Sequence, residues 1–282
     1  MQSNNPVFTR SEGFNGRGAA NPYGNQTYPG NGTGFDGYGQ QAPYGLETHG
    51  ADRMSIDGVV QKTGISFLVL LVAAAATWWW IGDLSGAAID NSALARASML
   101  AMMGAGLAFL LSLVNSFKKV VSPALVLAFA AAEGVGLGAI SKFFDAQFGD
   151  GIVTQAVLGT FAAFAGTLAA YKFLNINVGD KFRTFVVAGM FGMVGLGLIS
   201  FVLSLFGVQT GLFGLGPLGL LMSVIGLVLG VFMLILDFDF VERGIAAGLP
   251  DREGWRAAFG LTVSMVWIYT NLLRILAILR GD

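Results

Sequence analysis

Long apolar stretches recur through the sequence from residue 62 onward, and only short polar links separate them. A helix of about 20 apolar residues crosses the ~30 Å hydrocarbon core of a bilayer. Backbone groups find no water in that core, so the chain there must hydrogen-bond to itself as helices. The pattern predicts an all-α integral membrane protein, with one seven-transmembrane-helix bundle over residues 53–282. The predicted spans are 62–82, 94–116, 122–144, 152–173, 183–206, 216–238 and 257–279.

The composition agrees with this class and removes several chemistries. Charged residues make up 12% of the chain, against roughly 25% in a soluble domain. There is no cysteine, which excludes disulfides, thiolate catalysis and cysteine metal sites. The single histidine, His49, lies in a polar segment. We therefore expect no enzyme and no cofactor, and the formal net charge of −1 gives no reason to expect a nucleic-acid partner.

The segment 1–52 differs from the rest of the chain, as "NPYGNQTYPGNGTGFDGYGQQAPYG" shows. Gly, Asn, Gln, Tyr and Pro dominate it, and aliphatic side chains are scarce. Such a segment buries too little apolar surface to offset the entropy lost on ordering. We predict a disordered polar N-terminal tail. Weak self-contacts between its spaced tyrosines are the alternative.

Basic residues are shared unevenly between the two sides of the predicted spans. Ten lie on the side of the N-terminus and three on the other. Because cytoplasmic loops carry an excess of Lys and Arg, we predict a multi-pass plasma-membrane protein with a cytoplasmic N-terminus. The larger group is Arg53, Lys62, Lys118, Lys119, Lys172, Lys181, Arg183, Arg243, Arg252 and Arg256; the smaller is Arg96, Lys142 and Arg280.

Small residues recur four positions apart within the predicted spans. Such a series makes a flat helix face on which a neighbouring backbone can approach closely. The series include Gly104, Ala108 and Ser112, then Ala162, Gly166 and Ala170, and finally Gly226 and Gly230.

Ionisable residues inside a span are functional candidates, because each costs about 2.5–3.5 kcal/mol to insert. Glu133 lies in the middle of "ALVLAFAAAEGVGLGAIS", with no basic residue near it on its own helix. A structural hydrogen bond to another helix and an ion or proton route both account for such a carboxyl group.

Two aspartates end the sixth apolar stretch, in "LILDFDFVERG" at 234–244. Asp237 and Asp239 are two positions apart, so they point about 200° apart around a helix. Asp239 shares a face with Arg243, which predicts an i,i+4 ion pair at the water boundary. Asp237 is then the better candidate for a carboxylate inside the bundle. The alternative is that it reaches water at the cytoplasmic edge.

The last span carries two polar residues in "VWIYTNLLRILAIL" at 266–279. Asn271 and Arg274 are three apart and therefore share a face. Arg274 is near enough to the helix end for its guanidinium to reach water. Asn271 lies deeper, so we expect it to have a partner on another helix.

Six segments carry a family resemblance. They are "NPVF" at 5–8, "MSIDGVVQKTG" at 54–64, "AEGVGLGAIS" at 132–141, "DKFRTFVVAG" at 180–189, "LDFDFVERG" at 236–244 and "WIYTNLLRIL" at 267–276. In this order they resemble the Bax inhibitor-1 family, in particular its bacterial branch with a polar tail. The resemblance implies six helices around a central seventh. It also implies a pH-sensitive calcium leak in some members, and control of stress or of a membrane protease in others.

In the channel-like members of that family, an acidic residue late in helix six meets another in helix seven, and the two share a proton. The resemblance places the first at Asp237, with Asp239 as the alternative, and the second at Asn271. Since an amide cannot ionise, pH gating is expected to be weakened here. A hairpin folded at Gly254 would bring Asp237 and Asn271 level, whereas one folded near Asp251 would offset them.

Two functions follow as hypotheses. The first is a passive leak for calcium or another cation, with Asp237 as gate and calcium contact. Glu133, Asn271, Asp239 and Arg274 are the other candidates along the ion pathway. The second is a regulator without transport activity, which acts through contacts with another membrane protein.

Overall fold

The computed structural model describes residues 53–84, 91–149, 151–174 and 176–281. The predicted tail 1–52 lies outside the described residues. Within them the chain forms seven helices, each long and apolar enough to cross a membrane, and no strand, which confirms the predicted all-α class. The helices are α1 (Ile56–Ile81), α2 (Asn91–Phe117), α3 (Pro123–Phe148), α4 (Ile152–Phe173), α5 (Asp180–Leu205), α6 (Pro217–Ala246) and α7 (Glu253–Gly281).

Several helices extend beyond the predicted apolar spans. α1 begins at Ile56, where the side chain of Ser55 caps it by accepting the amide of Gly58 at 3.1 Å. α6 begins at Pro217, which suits a first turn because proline has no amide to leave unpaired. It continues past the predicted end at 238 to Ala246. The polar sequence after Asp237 is therefore helical, and its charged side chains are held at helical spacing.

α7 lies in the interior of the bundle and packs against α1, α3, α4 and α6. α7 and α3 are the most enclosed of the described helices. In each of them, 56% of the residues in the most apolar 18-residue stretch are buried. In the described chain, the backbones of α2 and α5 do not contact α7: α2 packs on α1 and α3, and α5 packs on α6. The family resemblance implies six helices around a central seventh. In the described chain only four helices pack directly on α7, and α2 and α5 lie in an outer layer.

Close backbone contacts hold α3 against α1 and α2. A Cβ atom on Gly134 would overlap the carbonyl oxygen of Leu70 on α1, and one on Gly104 of α2 would overlap the backbone of Gly136. The predicted close approach is confirmed at Gly104. It is wrong at Gly166, which has open space where its Cβ would be.

One end of the bundle, called the turn end here, carries the link between α6 and α7. Met54 donates its amide to Leu249 O at 2.8 Å, next to an isolated bridge between Arg53 and Pro250. The ammonium group of Lys62 donates to Asp251 Oδ1 at 2.6 Å and to its carbonyl at 2.8 Å. Lys62 is only 8% exposed, so the start of α1 and this turn are fixed to each other. The opposite end, where α3 and α7 finish, is called the far end.

Gly134→Ala should destabilise the protein, because the added methyl group meets backbone rather than a mobile side chain. Overpacking of this kind costs about 1–3 kcal/mol. Gly166→Ala is the matched control, since it adds the same group to a helix where there is space. Thermal unfolding in detergent should show a lower Tm for Gly134→Ala only; equal midpoints would contradict the close α1–α3 contact.

Candidate functional site

Asp237 faces α7 within the bundle. The hydroxyl of Ser264 donates to Asp237 Oδ2 at 2.5 Å. One turn earlier on α7, a Cβ on Gly260 would lie 2.7 Å from Asp237 Oδ1, so the glycine makes room for the carboxylate. Ser264 is 1% exposed and Asp237 is half-buried. α6 continues nine residues to Ala246, about 13 Å of helix, so this carboxylate lies within the helix and near the end of the predicted span 216–238.

Asp237 and Asn271 are not in contact. Of the two hairpins that the sequence left open, the structure has the one folded near Asp251, which offsets these residues. Asn271 comes seven residues after Ser264, about 10 Å further along α7. Its Nδ2 donates to Trp267 O of its own helix at 2.7 Å. Its side-chain oxygen packs against Gly226 of α6, so closely that it would overlap a Cβ atom at that position. The chain turns at Pro250 and Asp251 rather than at Gly254, and that register brings Ser264 to the place expected for Asn271.

Asp239 is buried. The sequence analysis was wrong to place this side chain at the water boundary. Its predicted ion pair with Arg243 is present at 2.8 Å, and Arg183 from the first turn of α5 donates to its other oxygen at 2.9 Å. Asp239 is 5% exposed. The burial arises because α6 has α7 on one side and α5 on the other, so both faces are covered.

Glu133 lies on the side of α3 that faces α7. One turn before it, the ring of Phe129 meets that of Phe259 of α7 edge to face, with centroids 4.9 Å apart. The Glu133 side chain is half-buried and makes no hydrogen bond or ion pair with any of the residues described. The predicted structural hydrogen bond between Glu133 and another helix is therefore absent among the described residues.

Arg274 lies at the far end, away from Asp237. Its guanidinium group is 5.4 Å from the ring centroid of Phe213, and Nη2 is 3.4 Å from the carbonyl oxygen of Gly214. It follows Ser264 by ten residues, about 15 Å of helix. Arg274 therefore cannot neutralise the Asp237 carboxylate.

The described acidic residues are not gathered into a cluster that could hold a metal ion. Calcium takes about 6–8 oxygen ligands, and no group of three acidic or histidine side chains meets among the residues that the structure describes. Asp237 contributes one carboxylate and Ser264 one hydroxyl, whereas Asn271 contacts Gly226 and Glu133 is on a helix that does not pack on α6.

The sequence analysis missed two residues of the site, Ser264 and Arg183. The first has a signal that could have been used: Gly260 and Ser264 are four apart and small, and they face Asp237 once the hairpin is folded near Asp251. Arg183 was counted only as a basic residue that sets orientation. Nothing local shows that it reaches Asp239, because the two are 56 positions apart.

These features define a polytopic α-helical membrane protein with an acidic site between its sixth and seventh helices. The family model described as Bax inhibitor 1 like matches residues 5–281, and the chain belongs to this family. The family is one of membrane proteins and is not a known class of enzymes. No curated protein matches the chain.

Asp239→Asn should lower stability more than Asp237→Asn. The first change removes the charge that two arginines bind, and hydrogen bonds to charged groups contribute about 1.5–3 kcal/mol. The second leaves a side chain that can still accept the Ser264 hydroxyl. Thermal unfolding of both variants in detergent checks this; a larger loss for Asp237→Asn would mean that Asp239 is not the structural carboxylate.

Proposed function

We propose that this protein is a passive leak for calcium or another cation, and that Asp237 is the carboxylate that the ion meets. The observation that carries the proposal is the environment of Asp237. It lies between α6 and α7 near the end of the predicted sixth span, and its side chain has one hydrogen-bond partner among the described residues, the uncharged Ser264. An ionisable group inside the membrane without a counter-charge is a functional candidate.

The contrast with Asp239 supports Asp237 as the ion-facing residue. Two guanidinium groups, from Arg183 and Arg243, neutralise Asp239. A carboxylate with its charge already compensated attracts a passing cation weakly, whereas an uncompensated one in a cleft of low dielectric constant attracts it strongly. Asp239 thus has a structural role in this proposal.

The proposed gate differs from the paired carboxylates that the family resemblance implies. Ser264 stands opposite Asp237 and donates a hydrogen bond to it. A serine hydroxyl does not ionise at physiological pH, so it cannot take part in a proton shared between two carboxylates. pH gating is therefore weakened by Ser264, not by Asn271 as the sequence suggested. Any proton dependence that Asp237 brings follows the binding of a single proton.

The proposed location is the plasma membrane, with the N-terminus in the cytoplasm. The turn end then faces the cytoplasm, and Asp237 lies nearer to that side. In this arrangement no catalytic step or cofactor is required, because a leak needs only a path and a charge that attracts the ion.

The test is calcium flux into liposomes that contain the purified protein. Asp237→Asn should reduce flux by about tenfold or more, since focused charge changes local ion concentration by factors of about 10–10³. Asp180→Asn, at an exposed residue in the first turn of α5, is the control and should leave flux unchanged. If the folded wild-type protein shows no flux for any cation, the leak is excluded and the regulator without transport activity gains support.

Ser264→Asp should convert the site into a pair of facing carboxylates and make the leak more strongly dependent on pH. Two such groups cannot ionise independently, so their protons bind in two coupled steps. Ser264→Asn is the matched control, because it has the size of aspartate without its ionisation. Flux measured from pH 5 to 9 should be steepest for Ser264→Asp; identical pH profiles for the two variants would contradict Ser264 as the partner of Asp237.

A further inference from the structure

A cleft of about 610 Å³ opens between α1 and α4, on a side of α7 other than the Asp237 site. In the described chain these two helices do not pack against each other, and α3 and α7 form the floor between them. Leu71 and Phe161 stand at its edges and are each 47% exposed. Because exposed surface at this depth faces hydrocarbon, the cleft opens sideways into the membrane. Its volume is in the range of about 300–1,000 Å³ that ligand sites occupy.

The cleft extends over the depth of one leaflet. Along α1 it runs from Phe67 to Trp78, about 16 Å at 1.5 Å per residue, or half of a ~30 Å hydrocarbon core. Most of the lining is aliphatic or aromatic. The polar side chains on the floor are Asp145 and the pair Ser141 and Tyr269, whose hydroxyls are hydrogen-bonded at 2.6 Å.

A carboxylate lines the far end of the cleft, and an ammonium group outside the lining lies over the ring of Trp78, which does line it. Asp145, one turn after Ser141, lines it, and its carboxylate forms no hydrogen bond or ion pair with the described residues. Lys142 Nζ lies over the ring of Trp78, 4.7 Å from the centroid. Trp78 and Asp145 are near the ends of α1 and α3, at the level where headgroups and interfacial tryptophans lie.

We propose that this cleft binds one membrane phospholipid with an ammonium headgroup, such as phosphatidylethanolamine. An acyl chain lies against the mostly apolar walls of α1 and α4. The ammonium group pairs with Asp145, and the phosphate pairs with Lys142. A phospholipid that lacks the ammonium group leaves Asp145 without a cationic partner, so the cleft selects by headgroup as well as by chain. The proposal does not depend on ion transport.

A matched pair of variants tests the chain site. Ala75 lines the cleft, whereas Ala76 is the next residue on α1, is also exposed and lies outside the lining. Ala75→Trp fills the cleft, and Ala76→Trp adds the same ring to the outer surface of the helix. Native mass spectrometry of protein from detergent with equimolar phosphatidylethanolamine and phosphatidylglycerol of identical chains should show one retained lipid in the wild type and Ala76→Trp, and loss in Ala75→Trp. Equal retention by both variants would overturn the proposal.

The headgroup site is tested by Asp145→Asn in the same mixture. The wild type should retain phosphatidylethanolamine over phosphatidylglycerol by about two- to fivefold, the range that a solvent-accessible ion pair supplies. Asp145→Asn should bring this ratio close to one, and Asp180→Asn should leave it as in the wild type. A wild-type ratio of one, or an unchanged ratio in Asp145→Asn, would overturn the headgroup assignment.

Photolabelling tests the same cleft in the wild-type protein, so its result does not depend on whether a variant folds. A phosphatidylethanolamine with a photoreactive group in its acyl chain should label residues around Leu71 and Phe161 at least severalfold more than Phe191 of α5, which is 75% exposed and lies outside the cleft. Uniform labelling of all exposed helices would mean that the cleft holds only bulk lipid and would overturn the proposal.

Discussion

The register of α7 against α6 depends on the short turn between them, and this turn is held by one buried cation. Lys62 of α1 donates to both the carboxylate and the carbonyl of Asp251. A lysine that is nearly fully enclosed needs such partners, because an unpaired ammonium in that position is costly. With the turn fixed there, Ser264 is the residue that meets Asp237, and Trp267 donates its indole N–H to the carbonyl of Gly226 at 2.8 Å.

The two aspartates of α6 show how position on a helix separates structure from function. They are two residues apart, so α6 presents Asp239 toward α5 and Asp237 toward α7. The neighbour on one side supplies an arginine, and the neighbour on the other supplies a hydroxyl and a glycine. One carboxylate thereby binds two arginines and fastens two helices, whereas the other has no cationic partner among the described residues.

Two different faces of α7 line the Asp237 site and the cleft. Toward α6 it presents the small residues that accommodate Asp237. Toward α3 and the cleft it presents Tyr269, which is hydrogen-bonded to Ser141. A helix in the interior of a bundle can do this because each of its faces contacts a different neighbour. A lipid in the cleft would therefore contact the same helix that lines the proposed ion site, without touching Asp237.

The sequence by itself determined the class of the protein: all-α, seven spans, and the residues near which each span lies. That signal is local, since the length and polarity of each stretch suffice to recognise a membrane helix. The pair of Asp239 with Arg243 was equally predictable, because both are on one helix at fixed spacing. Only the tertiary structure decided that Ser264 rather than Asn271 faces Asp237. It also decided that Arg183 reaches Asp239. These contacts join residues that are far apart in the chain, and they depend on where a turn folds and on which helices become neighbours, neither of which helical periodicity encodes.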